Sequence, residues 1–470
     1  MVLGDEEPAP EAPRRRAPRR VCLRRLDPAG CASGLRRQGP GQLREVGHVR
    51  HGVRHRVLLL RTVGHDLGPP FGVTTLARLT GAKTVANTAL RWIPLFLPTL
   101  EGAFGATTRQ MTTVIGVGEL AGLSTIASGV RLDQGRERVV MVSSLGLIAA
   151  SSIIALGGTL ATFAVAFFVL VLGVGNYSVA GQAWISHRVP YRQRARSLGL
   201  FETSWAIALL VGAPVVALLI TMVGWRGPFV ALAIASTVAA LVVAQTLPPW
   251  SRGADEIEFV KASDGSDHAA TTATRASITT TAWLVMIGSA ATAMAGLAVF
   301  VVSGTWLDDA FGVSTGGIGV IAIGFGSVEL AASLASAGVA DGVGKLRSTM
   351  AGLVLLLLGL GVMLLANGRL SVGLGGLLLF LLGFEFAFVT SLSLVSEAMP
   401  DARGTTLAVS NAVATVARAG GAILSGWLFS THGIAGTASL SAISAITAAL
   451  TLVLSRRIGP GVAPIASTTI

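Results

Sequence analysis

Twelve apolar runs, each long enough to cross a bilayer, take up most of the chain from about residue 84 onward. They span about 84–101, 109–128, 139–158, 161–185, 198–222 and 226–247, then 281–303, 314–337, 348–366, 371–396, 404–429 and 433–455. A hydrocarbon core about 30 Å thick takes roughly 20 apolar residues in helical form, and every backbone group inside it must bond within its own segment. The expected fold is therefore an all-α membrane bundle, in two sets of six helices. Composition agrees. Only 13% of residues are charged and 52% are apolar, where soluble domains carry about 25% charged residues. The 58 glycines suit helices that approach closely in lipid.

Residues 1–72 read differently, with Arg, Gly, Pro and His in irregular order. Their longest apolar patch, Val57-Leu58-Leu59-Leu60, is too short to span. Asp5, Glu6, Glu7 and Glu11 argue against a transit peptide, and no signal-peptide core precedes them. Two readings stay open: a basic tail lying on anionic lipid, or a start codon set too early. Folding is expected from about Leu76. The domains are then an extension at 1–75, a first bundle at 76–247, a polar cytoplasmic linker at 248–280, a second bundle at 281–457 and a tail at 458–470.

The net charge of +12 does not imply nucleic acid, because more than half of the excess lies in residues 1–72 and the rest in short loops. Arg136, Arg138, Arg188, Arg192, Arg194, Arg196, Lys345, Arg347, Arg456 and Arg457 all fall on one side of an even-numbered topology. Glu101, Arg226, Asp308, Asp309 and Arg369 fall on the other. Positive loops stay inside, so both termini are expected in the cytoplasm of a multi-pass cell-membrane protein. Cys22 and Cys31 both lie in the front segment, which leaves no thiol pair in the bundle.

The halves repeat at an offset of about 207–210 residues. Leu100-Glu101-Gly102-Ala103-Phe104-Gly105 matches Leu307-Asp308-Asp309-Ala310-Phe311-Gly312, and Glu119 matches Glu329. Gly173 and Pro190 match Gly383 and Pro400; Arg194, Gly212 and Gly224 match Arg403, Gly421 and Gly433. Between helices 2 and 3 stands Gly129-Val130-Arg131-Leu132-Asp133-Gln134-Gly135-Arg136-Glu137-Arg138. A degenerate copy, Gly338-Val339-Ala340-Asp341-Gly342-Val343-Gly344-Lys345-Leu346-Arg347, follows helix 8.

This pattern resembles the signature loop of the major facilitator superfamily of transporters, over about residues 76–457. The resemblance implies twelve transmembrane helices in two pseudo-symmetric six-helix bundles, with a site between them and alternating access. It also implies a cytoplasmic gate at Gly129, Asp133, Gly135, Arg136 and Arg138, echoed at Asp341, Gly344, Lys345 and Arg347. Asp133 would meet the start of helix 11, after Pro400-Asp401-Ala402-Arg403, where a carboxylate gains about 0.3–1 kcal/mol. The bland alternative is a loop that only enforces topology. Two departures from the proton-driven drug exporters stand out. Helix 4 reads Phe167-Phe168-Val169-Leu170 where they carry an arginine, and helix 5 keeps only part of their Gly-Pro motif in Gly212-Ala213-Pro214-Val215-Val216-Ala217. A sugar-efflux-like branch therefore stays open.

Six ionisable residues fall inside the predicted spans: Arg91, Glu119, Glu202, Glu329, Glu385 and Arg418. A charge at bilayer depth costs about 2.5–3.5 kcal/mol on insertion scales, so such residues pair or face a cavity. Glu119, Glu329, Glu385 and Glu202 are the proton-coupling candidates. An Arg–Glu contact made in only one state would tie protonation to conformation. A permanent pair would merely neutralise charge. Arg91 is open to an anionic substrate or to Glu119, Arg418 carries the same ambiguity, and Glu202 is open to being held by Arg196. Substrate-cavity candidates are Arg91, Asn87, Asn176, Tyr177, Trp205, Asn411 and Arg418, the neutral ones being equally readable as interhelical hydrogen bonds. His187 reads as a solvated loop residue, and Gly173-Val174-Gly175 as helix packing.

No Walker loop, HExxH or CxxC is present. The expected function is thus secondary transport and not enzymatic, with no cofactor and the proton gradient as energy source. It would export a small drug- or sugar-like compound, and proton-symport uptake or a transport-inactive sensor or scaffold are the rivals. Partners are the bilayer, the substrate and protons, with no nucleic acid, and the chain is expected to be a monomer.

Overall fold

A computed structural model describes residues 73–248, 278–399 and 403–458. Most of the expected extension and linker, and residues 459–470 of the tail, lie outside the described residues.

The described chain is helical throughout its length. α1 runs Val73–Leu95 and, past a break at Phe96, Leu97–Phe104. α2 comprises Thr108–Glu119, a tighter 3₁₀ stretch Leu120–Ser124, and Thr125–Asp133. α3 is Glu137–Ala155 and α4 is Leu160–Arg188. α5 joins Tyr191–Glu202, Ser204–Ile207, a π stretch Ala208–Gly212 and Ala213–Val223. α6 is Arg226–Thr246. α7 runs Thr280–Phe300 and, after a break, Ser303–Phe311. α8 is Thr315–Val343, α9 is Lys345–Leu364 and α10 is Leu370–Glu397. Arg403–Ile458 is one hydrogen-bonded run that Gly433, at φ 61° and ψ −154°, divides into α11 (403–432) and α12 (434–458).

Among the described residues ten runs are long and apolar enough to cross a membrane. The division at Gly433 supplies an eleventh. The twelfth is α1, whose apolarity is diluted by Lys83 and Arg91. Its start at Val73 corrects the expected span of 84–101 and brings Lys83 into the helix.

Duplication shows in the backbone itself. The left-handed glycines fall into four pairs: Gly105 with Gly312, Gly135 with Gly344, Gly158 with Gly368, and Gly224 with Gly433. Side chains rarely adopt that conformation, so each glycine stops a helix at the same point in both halves. α1 and α7 also share their late break, and Thr107 and Ser314 cap α2 and α8 at equivalent places, each accepting a backbone N–H three residues on. The expected turn at 129–138 is corrected in extent, because α2 stays helical to Asp133 before Gly135 turns the chain.

Large apolar side chains lie exposed in stripes, such as Val230, Ile234, Val238 and Leu241 on α6 and Val211, Val215, Leu218 and Met222 on α5. Their three- and four-residue spacing makes one continuous face per helix, a surface that suits lipid and not water. Inside the halves, close approach is bought with glycine. Gly352 and Gly359 of α9 lie against Gly383 and Gly376 of α10, where an added methyl would come within about 3 Å of backbone. Gly173 packs α4 on Ser144 and Ile148 of α3.

Between the halves, packing runs along Thr108–Ser124 of α2 against α11, Ser204–Val223 of α5 against α8, and α1 against the end of α7. Thr125–Asp133 and Tyr191–Glu202, at the end carrying the basic loops, pack on helices of their own half. Among the described residues the seam is thus packed at the far end, and the basic-end segments pack mainly within their own halves. The tightest point is Gly304 of α7, where an added methyl would stand 2.1 Å from the Leu95 carbonyl oxygen. Replacing Gly304 with Ala should therefore hold the far end open. A thiol placed at the fully buried Leu97 should then react with a membrane-impermeant maleimide at least about tenfold faster, since exposure must rise from near zero. Unchanged labelling would show that this contact does not govern closure.

Candidate functional site

α1 places two basic side chains at membrane depth, eight residues apart on one strip of the helix. Arg91 meets Glu329 of α8 through two parallel bonds of 2.7 and 2.5 Å, with 4% and 2% of the side chains exposed. The forked, charge-assisted geometry is the strongest kind of side-chain pairing. Arg91 also donates to the Trp205 carbonyl at 2.8 Å, and its guanidinium lies 4.2 Å from the Trp205 ring centre. The pairing with Glu119 that the sequence left open is not the one formed. Glu119 instead accepts from Nε of Arg418 on α11 at 3.0 Å, and Arg418 also donates to Thr415. Each half therefore lends an arginine to a glutamate of the other.

Lys83, which the sequence spans missed, pairs at 2.6 Å with Glu202 of α5. That replaces the expected Arg196 partner, and Arg196 is exposed. Lys83 is 3% exposed, while the Glu202 side chain is 48% exposed and its other oxygen accepts from Gln182 of α4 at 2.9 Å. The missed signal was local: Lys83 is the residue just before the expected start at 84, whereas the helix begins at Val73.

Glu385 of α10 is buried, and Ser333 of α8 donates to it at 2.8 Å. Among the described residues it has no ion-pair partner, although it lies within electrostatic reach of Glu329, Arg91 and Glu202. At membrane depth three cations thus pair with three glutamates, and Glu385 is the carboxyl left over.

The neutral candidates separate. Asn87 is buried and donates to Ser204 at 3.1 Å. Asn176 accepts from Ser128 and donates to Ser124 and the Leu172 carbonyl, tying α4 to α2. Tyr177 is fully buried and donates to the Leu79 carbonyl at 3.0 Å. These three are interhelical bonds, not cavity walls. Trp205 is 37% exposed and Asn411 is exposed. Tyr177→Phe should lower stability by about 1 kcal/mol, the net worth of one buried hydrogen bond, measured as a drop of about 1–2 °C in melting temperature. An unchanged melting temperature would deny the bond any role.

At the basic end, the expected gate residues occupy matched turns. Gly135 and Gly344 are left-handed, at φ 72° and 95°. Gly129 lies within α2, and Arg136 is exposed while Arg138 is half-buried. Lys345 pairs with Glu397, joining the start of α9 to the end of α10. The first half makes the same connection with the charges exchanged. Buried Glu137 at the start of α3 accepts from Arg188 at 3.3 Å and lies 2.7 Å from His187 Nδ1. His187 is thus corrected from a solvated loop residue to a partner of α3. Arg347 is exposed. The side chains of Asp133, Asp341 and Arg403 lie outside the described residues.

Two six-helix halves joined by exchanged arginine–glutamate pairs give the architecture of a membrane transporter. The chain belongs to the Major Facilitator Superfamily, whose sequence profile matches residues 81–422. Its fold is similar to a crystal structure of a D-xylose–proton symporter, with TM-score 0.63 and 15% identity over 79% of this chain and 96% of that one. It is equally similar, at TM-score 0.63 and 13% identity over 83% of this chain and 96% of the other, to an inward-facing, unoccupied bacterial homolog of the human lysosomal transporter Spinster. The inward-open xylose transporter XylE of E. coli gives TM-score 0.63 and 15% identity over 82% and 96%. A curated relative, the transcription regulatory protein OpdE of Pseudomonas aeruginosa PAO1, is 33% identical over 117 residues, 23% of this chain. That match spans 28% of OpdE's length.

Proposed function

We propose that the protein is a proton-coupled secondary transporter that exports a small organic compound across the cell membrane by alternating access. Both termini and the basic loops face the cytoplasm. The observation that carries this reading is the charge balance at membrane depth. Lys83, Arg91 and Arg418 are each matched by a glutamate, so Glu385 is the carboxyl free to take up and release a proton. An ionised carboxylate without a counterion is costly inside a bilayer. A cycle that loads a proton on one side and sheds it on the other moves Glu385 between two environments. Glu119 and Glu329, held by arginines across the seam, bind the halves to each other and take the second role, as contacts whose making and breaking accompanies the switch.

The test is proton movement in proteoliposomes of known orientation, with compounds added singly. Export in exchange for protons predicts that an inward proton gradient drives the compound outward. Uptake by symport predicts the opposite sign and would replace the export reading. The likeness to a Pseudomonas transcription regulatory protein makes a signalling role the other rival. Absence of gradient-driven flux for every compound, from a folded chain, would favour it.

A further inference from the structure

Glu202 and Trp205 stand three residues apart on α5, hence on one face of the helix. That face turns away from the lipid stripe of Val211, Val215, Leu218 and Met222, because the partners of Glu202 lie on α1 and α4 and those of Trp205 on α1. Both side chains are exposed, at 48% and 37%, while Lys83 and Arg91 behind them are buried. We propose that Glu202 and Trp205 form a recognition site for an uncharged, hydroxyl-rich small molecule, the carboxylate taking its hydroxyl hydrogens and the indole its apolar face. The inference rests on the cleft being the transport path and names what travels along it.

Each half of the pair is fixed from behind. Lys83 holds one carboxylate oxygen of Glu202 at 2.6 Å and Gln182 the other at 2.9 Å. A carboxylate has about four acceptor positions, so those facing the cleft stay free and rigidly aimed. The Arg91 guanidinium covers one face of the Trp205 ring at 4.2 Å, and the exposed area belongs to the remainder. Two acceptor positions beside a flat apolar surface fit neighbouring hydroxyls on a ring whose C–H groups stack on the indole.

Charge selects among ligands of that size. An organic cation approaching Glu202 meets Lys83 directly behind it and Arg91 behind the ring. Its attraction to the carboxylate is cancelled at source, and a cation already on the indole weakens a second cation–π contact. An organic anion meets Glu202 and, across the seam, Glu385. A neutral polyol meets neither penalty.

The experiment measures binding alone, by the melting temperature of the purified full chain in nanodiscs at fixed pH with no gradient. The neutral probes are the common pentoses, hexoses and their reduced alcohols. Tetraphenylphosphonium and benzoate are the cation and anion. The expected result is a saturable rise in melting temperature with at least one neutral probe and with neither ion. Trp205→Ala and Glu202→Gln should weaken that midpoint more than about tenfold, and Trp205→Phe, which keeps a stacking face, only a few-fold. Lys83→Met should do what a structural role would not, and confer saturable tetraphenylphosphonium binding by leaving Glu202 uncompensated. Saturable tetraphenylphosphonium binding by the unaltered chain, or no saturable rise with any neutral probe, overturns the proposal. Because no proton movement is read, failure of gradient-driven flux leaves a positive result standing. Flux of a charged compound would instead sink this inference and leave transport intact.

Discussion

Replacing Arg91 with alanine should destabilise the chain by on the order of 3–5 kcal/mol, as breaking a fully buried ion pair does. The loss comes less from the missing attraction than from what is left behind. Glu329, 2% exposed, would keep its charge with no counterion, and the Trp205 carbonyl and ring would both lose their partner. Thermal unfolding in detergent should fall by on the order of five degrees. The double variant Arg91→Met with Glu329→Met should recover most of that loss, because removing both charges removes the stranded one. Arg418→Ala provides the contrast. Its side chain is 27% exposed and touches Glu119, 11% exposed, through one nitrogen at 3.0 Å, so the loss should be smaller, about 1–2 kcal/mol, between a surface and a fully buried pair. Equal losses in the two single variants would show that burial does not set the scale here. No loss from Arg91→Ala would show that the pair is dispensable in this state.

The bundle was legible because lipid leaves the chain few options. Runs of apolar residues had to be helices, and the polar punctuation at a constant offset carries the duplication in the sequence itself. The matched left-handed glycines explain why that punctuation is kept in step. Gly105 and Gly312, or Gly224 and Gly433, each end a helix with a backbone turn that side chains resist. Interior details were less visible, because hydropathy reports how deep a residue lies and not which way it points. Tyr177 and Asn176 have the chemistry of a cavity wall, yet both face neighbouring helices of their own half. Lys83 escaped because its charge lowered the local apolarity and moved the apparent start of α1 past it.

Pairing across the seam was harder still. Arg91 and Glu119 lie in one half and fall close in sequence, which made them natural partners. The fold instead sends Arg91 to α8 and Glu119 to α11. Only the relative placement of two separately folded halves decides this, and no local pattern encodes it. The irregular stretches are also a three-dimensional result. The 3₁₀ residues Leu120–Ser124 sit where α2 leaves the seam and turns to its own half, and the π residues Ala208–Gly212 sit within the seam, where α5 packs on α8. Irregular helix of this kind costs hydrogen-bond quality and marks places where a helix bends. α8 is unbroken at the corresponding depth, so the first half carries the bends.

Replacing Glu385 with glutamine should lower proton-driven flux at least about tenfold while leaving the fold intact. The amide is nearly the same size, can still accept the bond that Ser333 donates at 2.8 Å, and removes an unpaired charge from membrane depth, so stability should hold or rise. What it cannot do is exchange a proton. Substrate should still cross down its own gradient, because the cleft and its recognition groups are untouched. Accumulation against a gradient should stop, and imposed pH steps should no longer accelerate exchange. Glu119→Gln makes the comparison. Its carboxylate is matched by Arg418, so the amide strands a cation and should slow both active and passive flux by altering how the halves meet. The discriminating quantity is the ratio of active to passive transport, which should collapse for Glu385→Gln and stay near the wild-type value for Glu119→Gln. A ratio preserved in Glu385→Gln would mean that the leftover carboxyl is not the coupling group. Coupling would then fall to the arginine-held glutamates, Glu119 and Glu329, whose ion pairs cross the seam.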